Sequence, residues 1–133
     1  MGAKRSHDSV ILLIDKSEMG QGISTALVMI LADELDLDWK KMKTEFAPAA
    51  PQHFNPIFGL QGTGGSCSVR GPWEPLAKAG AAAREMLVAT AAKRWNVDPS
   101  TCHTENGAVM QTATGKRLGY RALVEESRNF PCP

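Results

Sequence analysis

The spacing of apolar residues divides the chain into short strand-like runs and two helical stripes. Residues 9–14 form a β-branched apolar run that reads as a buried strand. Leu27, Leu31 and Leu35 then recur every fourth position, with Val28 and Ala32 beside them. That spacing predicts a helix from residue 23 or 24 to residue 37, with Ser24 or Thr25 placed to cap it. Asp38 is positioned to start a short helical turn, and residues 43–47 alternate as a second strand. The longest stripe joins Leu76, Gly80, Ala83, Leu87, Ala91 and Trp95, with Lys78, Glu85 and Lys93 off it. It predicts a helix over residues 72–95, with Pro72 or Pro75 in the first turn and a face of small residues that lets another element pack close. Residues 96–99 stop that helix. Asn106-Gly107 then separates two short runs, 101–105 and 109–112, as a hairpin. Residues 113–115 read as a further turn and 120–127 as a terminal helix. The fold class this implies is α+β: a small mixed sheet covered by two main helices, with a C-terminal hairpin and short helix.

Two stretches carry no period. Residues 15–22 form a turn between the first strand and first helix. Residues 48–71 hold Pro48, Pro51 and Pro56 and five glycines. A connection that long in a small domain is functional or disordered, and Phe54, Ile57, Phe58 and Leu60 are expected to anchor it. The first stretch ends in Met19-Gly20-Gln21-Gly22. Gln21 offers two amide donors and one acceptor between glycines that permit close approach, enough to hold an oxo or hydroxyl ligand. The plainer reading is a helix-leading turn with a solvated glutamine. The second stretch contains Gln61, Gly62, Thr63, Gly64, Gly65, Ser66, Cys67 and Ser68 directly before the long helix. It lacks the Lys-Ser/Thr ending of a P-loop and the strand and acidic residue of a dinucleotide fingerprint. What remains is an anion cradle of backbone N–H groups, Thr63, Ser66 and Ser68, with Arg70 as counter-charge and the adjoining helix start as support. The plainer reading is a flexible surface loop. Backbone dipoles near Cys67 can lower a thiol pKa, but the favoured reading of Cys67 is a small residue in a tight turn.

Composition narrows the function. At 133 residues there is room for one domain, expected over residues 9–128, with a polar tail at 1–8 and a tail or linker start at 129–133. Fifteen basic against fourteen acidic residues suggest no nucleic-acid partner, and no apolar run is long enough to span a membrane. Without an export signal, cytoplasmic and periplasmic locations both stay open. The three cysteines and the three histidines (His7, His53 and His103) match no metal-site spacing. Asp33, Glu34, Asp36 and Asp38 read as a solvated helix face, and Glu18 stands near a loop with no visible partner. No nucleophile–base pair is assigned, so no catalytic residue and no metal ligand is expected here.

Taken together, SEMGQG after a strand, NPIFGLQGTGGSCSVRG before WEPLAKAGAAAREMLVATAAKRW, and VDPSTCHTENGAV with GKRLGYRALVE resemble one known family. It is the molybdopterin-binding subunit of the xanthine dehydrogenase and aldehyde oxidase family, in its isoquinoline 1-oxidoreductase β-subunit branch. The resemblance covers nearly all of residues 10–126. It implies a part of a molybdenum hydroxylase that oxidises aldehydes or N-heterocycles with water as oxygen source. It also implies molybdopterin cytosine dinucleotide as cofactor, and a 2Fe-2S partner chain that takes the electrons. By the same resemblance Gly20, Gln21 and Gly22 lie beside the metal's ligands, while residues 61–68 wrap the pterin phosphate or its cytidine nucleotide. The family's subunits are several times longer, and no segment here matches the downstream carboxylate that serves as their base. The expectation is therefore one cofactor-contacting domain, inactive by itself, that needs the remainder of the subunit. Two other readings stay open: a phosphate- or nucleotide-binding module without catalysis, and an assembly domain docking through its small-residue helix face.

Overall fold

A computed structural model describes residues 10–55 and 57–127; the expected tails and His7 lie outside them. The order is β1 (Ile11–Ile14), α1 (Ile23–Leu35), β2 (Lys43–Phe46), α2 (Trp73–Trp95), β3 (Cys102–Glu105), β4 (Ala108–Gln111), β5 (Arg117–Gly119) and α3 (Tyr120–Ser127). The α+β class holds, and the strands fall into two sheets. β1 and β2 pair in parallel, Ile11 opposite Lys43 and Ile14 opposite Phe46. β3, β4 and β5 form an antiparallel sheet in that order.

A parallel pair needs a crossover, and α1 supplies it. Its buried stripe of Ile23, Leu27, Val28, Ala32 and Leu35 follows the predicted period. Ile23 and Leu27 pack with Ile14, while Val28 and Ala32 pack with Met42. On its other side α1 meets α2 at Gly80, where an added Cβ would lie 2.7 Å from Glu34 Cβ and 3.2 Å from the Leu31 carbonyl. Glycine is what lets the two backbones approach that closely. α2 also receives the C-terminal sheet and α3, burying Leu87, Ala91, Val109, Tyr120 and Leu123 together.

The C-terminal end of α1 joins these halves. Asp36 caps the helix in the left-handed region, and its carbonyl accepts from the Gly107 N–H at 2.7 Å. Asn106 and Gly107 both have positive φ (47° and 80°), the geometry of a type I′ hairpin turn. The Tyr120 hydroxyl donates to the Leu35 carbonyl at 2.6 Å. β5 has no counterpart in the sequence reading: three residues are too few to establish a period, and pairing with β4 alone defines the strand. With the hairpin docked at the C-terminal end of α1, the opposite end is left to the two aperiodic loops. Among the described residues no helix is long and apolar enough to cross a membrane.

Candidate functional site

Both loops leave from the carboxyl ends of β1 and β2, where open α/β units bind ligands. The first, residues 15–22, is pinned at each end: Ile14 and Ile23 share one buried cluster, joined by Leu76 from the start of α2. Lys16, itself buried, pairs with Asp15 at 2.6 Å just beyond β1. The second loop begins where the Ala47 N–H bonds the Ile14 carbonyl at 2.8 Å, and it ends at the same α2 turn. The loops therefore start and finish around one buried knot and meet directly: the Ser17 N–H donates to Thr63 Oγ1 at 2.8 Å.

Inside the first loop the chain satisfies itself. The expected Ser24 or Thr25 cap is not used; Gly22 stands at the N-cap with φ 82°, and Glu18 supplies the acceptor. Its Oε1 takes the N–H groups of Gly20 (2.9 Å) and Gly22 (3.0 Å), and its Oε2 that of Ser24 (3.0 Å). These bonds, Ser24's first, pull the carboxyl from its ordinary 4.5 to about 2. Glu18 thus has partners, chiefly backbone amides with the Ser24 side chain added, and it occupies the positive end of the helix that an external anion would otherwise take. Gln21 is held likewise: Oε1 accepts from the Met19 N–H and Nε2 donates to the Ser17 carbonyl at 2.7 Å. One amide hydrogen and one lone pair of Gln21 stay available, and Gly20, Gln21 and Gly22 are all exposed.

The second loop is built on polar contacts. Phe54, Ile57, Phe58 and Leu60, expected to anchor it, are all exposed. The anchors are Asn55, 0% exposed, and Cys67, 2% exposed. Asn55 Nδ2 donates to Cys67 Sγ at 3.1 Å, and that thiol donates to the Gly64 carbonyl at 2.9 Å. Cys67 is accordingly a buried fastening point inside the loop, in line with the small-residue reading. Gln61 Oε1 accepts from the Ala50 N–H at 3.1 Å. Gly62 lies against Leu60, and Gly65 against the Phe58 ring. Gly64, Gly65 and Ser66 form the exposed tip, with Gly65 and Ser66 in the left-handed region at φ 60° and 55°.

The start of α2 contributes less than expected. The N–H groups of Gly71, Trp73 and Leu76 are bonded back to Cys67, Val69 and Pro72, and Pro75 has none. Among the described residues the amides of the exposed 64–66 tip and the Ser66 and Ser68 hydroxyls make no hydrogen bond. The Thr63 hydroxyl accepts from Ser17 and keeps its own proton to give. Arg70 is exposed and, among the described residues, makes no ion pair. Amides and hydroxyls without a competing carboxylate suit an oxyanion such as phosphate, whereas in the first loop Glu18 already takes the amides that an anion would need.

Two cavities lie elsewhere. One of about 430 Å³ sits between α2 and β3, lined by Arg84, Val88, Cys102 and His103 among others. The other, about 200 Å³, lies between α1 and β2. In the loops themselves Gly20, Gln21 and Gly22 and Gly64, Gly65 and Ser66 are exposed. His103 Nδ1 shares a hydrogen with Thr112 Oγ1 at 3.1 Å, and among the described residues no three His, Cys, Asp or Glu side chains converge to hold a metal ion. The sequence reading overlooked Asn55 and the role of Glu18. The signal for Asn55 was an asparagine before a proline, a turn-forming pair whose side chain bonds the N–H two residues on; Oδ1 does accept from the Ile57 N–H, at 2.9 Å.

Residues 5–130 match the family described as Molybdopterin cofactor-binding domain. The chain is 38% identical over 109 residues to isoquinoline 1-oxidoreductase subunit beta of Brevundimonas diminuta, covering 80% of this chain and 14% of that protein. It is 36% identical over 111 residues to a protein of Gluconacetobacter polyoxogenes named membrane-bound aldehyde dehydrogenase [pyrroloquinoline-quinone], covering 84% of this chain and 14% of that one. In fold it is similar to quinoline 2-oxidoreductase of Pseudomonas putida 86, with a TM-score of 0.58 and 20% identity over 87% of this chain and 14% of that one. The chain spans about one seventh of the length of each. The match over almost the whole sequence makes this chain a member of the molybdopterin cofactor-binding domain family.

Proposed function

We propose that this chain forms the part of a molybdenum hydroxylase's large subunit that receives molybdopterin cytosine dinucleotide, with the phosphates lodged on residues 61–68. The observation that carries this reading is the Ser17–Thr63 bond, which brings the two loops side by side; close to it Gly64, Gly65 and Ser66 are exposed, and the Ser66 and Ser68 hydroxyls bond nothing among the described residues. In this arrangement Thr63, Ser66 and Ser68 donate to phosphate oxygens, and Gly64 and Gly65 let the backbone come close. Gln61 braces the loop, and Cys67 ties it down from inside. Gln21 directs its remaining amide hydrogen toward the pterin side, and Gly20 and Gly22 keep that approach clear of side chains. When bound, the molybdenum centre supplies oxygen transfer from water and uptake of an electron pair; the chain's own residues bind and orient.

The substrate is an aldehyde or an N-heterocycle, the electrons pass to a 2Fe-2S partner chain, and the remainder of the large subunit completes the pocket and brings the base. The exposed apolar side chains at the loop end support such a covering partner: Phe46 on β2, Phe54, Ile57, Phe58 and Leu60 on the long loop, and Trp73 at the start of α2. Co-expression with the remaining six sevenths of a large subunit tests the assignment. Bound molybdenum and cytidine nucleotide are expected in the parent and reduced in Gln21→Ala and Ser66→Ala. Variants that retain both as fully as the parent would remove these two residues from the site.

A further inference from the structure

Every polar atom of Asn55 is spent on shaping the long loop. Its backbone N–H donates to the Leu60 carbonyl at 2.8 Å, and its carbonyl accepts from Phe58 at 3.1 Å and Gly59 at 2.8 Å. Its side-chain oxygen takes the Ile57 N–H at 2.9 Å, and its amide nitrogen reaches the Cys67 thiol at 3.1 Å. The residue is fully buried. From Cys67 the connection runs on to the tip: the thiol and the backbone N–H of Cys67 both reach the Gly64 carbonyl, at 2.9 and 3.4 Å. Those two bonds close the turn that carries Gly65 and Ser66. Gly71 completes the enclosure, since a side chain there would lie 3.2 Å from the Cys67 carbonyl and 3.3 Å from Asn55 Oδ1.

The tip needs such support. Ser66 sits at φ 55°, a region unfavourable to any residue with a Cβ, and such conformations persist where their surroundings over-determine them. The tip has little else to hold it, because Gly64, Gly65 and Ser66 are exposed and the Ser66 hydroxyl bonds nothing among the described residues. A buried amide is suited to the task. Its two ends cannot be satisfied by water, so breaking the Asn55–Cys67 contact would strand a donor inside the loop.

We propose that Asn55 is a positioning residue for the anion site: acting through the Cys67 thiol, it holds residues 64–66 in the shape that presents their amides and the Ser66 hydroxyl to a phosphate. This rests on the reading of residues 61–68 as the phosphate loop and adds to it a residue outside that loop which never touches the ligand. Asn55 sets the conformation; the tip makes the contacts.

The test uses cytidine monophosphate as probe and the amide resonances of the 133-residue chain as readout. Asn55→Ala is expected to shift the Gly64, Gly65 and Ser66 amides in the free chain and to weaken probe binding about tenfold, the scale of one stranded buried hydrogen bond. Amides of the 102–111 hairpin serve as the control and stay in place, which separates repositioning of the tip from general destabilisation. Cys67→Ser keeps a group that both donates and accepts, and is expected to bind within about threefold of the parent; Cys67→Ala is expected to follow Asn55→Ala. Should Asn55→Ala fail to fold, Cys67→Ala carries the test, since it keeps the Asn55 acceptor for Ile57 and removes the sulfur through which Asn55 acts. Parent-like binding with undisturbed 64–66 amides in the folded variant overturns the proposal. A parent chain that ignores the probe counts against the phosphate reading instead, and the shift of the free tip amides then decides the role of Asn55 by itself.

Discussion

The backbone N–H of Ser17 and the hydroxyl oxygen of Thr63, 46 positions apart in sequence, lie 2.8 Å from one another. This bond is the seam between the two loops. Each loop is otherwise closed on itself: Glu18 and Gln21 satisfy the first, Asn55 and Cys67 the second. Whatever fixes their relative position must therefore act through Ser17 and Thr63 and the buried knot of Ile14, Ile23, Leu27 and Leu76 beneath.

Thr63→Val removes the acceptor while keeping the branched shape, and Thr63→Ser keeps the acceptor. The valine variant is expected to lose about 0.5 to 1 kcal/mol, the low end for an exposed hydrogen bond. Its Ser17 amide should exchange measurably faster with solvent. The serine variant should leave that amide protected; equal exchange in both would mean the contact does not hold the loops together.

Glu18 ties loop stability to pH. Its carboxyl is depressed in the folded chain from 4.5 to about 2. The stabilisation is therefore complete above about 4.5 and is lost as pH falls toward 2. Because the group is exposed, solvent screens the effect and it is modest. Melting temperatures of the parent and Glu18→Gln, followed from pH 7 downward, should differ at neutral pH and converge across that interval. Parallel curves would show that the carboxylate is not holding the amides of Gly20, Gly22 and Ser24.

Gly80 sets two effects against each other. Replacing glycine by alanine inside an exposed helix gains about 1 kcal/mol. Here the new methyl would meet Glu34 Cβ at 2.7 Å and the Leu31 carbonyl at 3.2 Å, neither of them a flexible side-chain end. Overpacking of that kind costs about 1 to 3 kcal/mol, so Gly80→Ala should come out destabilised by about 1 kcal/mol and Gly80→Leu by more. The urea midpoint reads this directly, and a stabilised alanine variant would mean α1 and α2 are not in tight contact there.

Tyr120 is the single tyrosine of the chain, so its ionisation can be read alone by absorbance. Burial first of all pushes its hydroxyl up to about 12, and the proton it holds is the one donated to Leu35. The associated stabilisation is present below the ordinary value of 10 and fades as pH rises through 12. No phenolate band should appear at pH 10.5 in the folded chain. Tyr120→Phe should cost about 1 to 3 kcal/mol by stranding the carbonyl at the end of α1.

The elements with a period were legible in the sequence because burial repeats where the backbone repeats. The Leu27, Leu31 and Leu35 stripe, the small-residue face at Gly80 and the Asn106-Gly107 hairpin all appear where the pattern places them. Both glycine-rich loops were legible too, as interruptions of that pattern. Their internal wiring was not. Glu18 looked solitary because its partners are chiefly backbone amides, which no sequence displays. The aromatic and aliphatic residues of the long loop looked like anchors because hydrophobicity alone does not say which surface a side chain meets, and here it is the outer one.

The sequence by itself determined the three helices, the strands other than β5, the family, and which two segments carry the polar chemistry. These follow from local preference and burial period, properties each segment holds independently. The tertiary structure decided that the two segments touch at Ser17 and Thr63, that Asn55 and Cys67 brace the second one, and that the first has no anion site left to offer. Such outcomes depend on directed hydrogen bonds between residues far apart in the chain, and these come into being only once the core has brought the segments within reach.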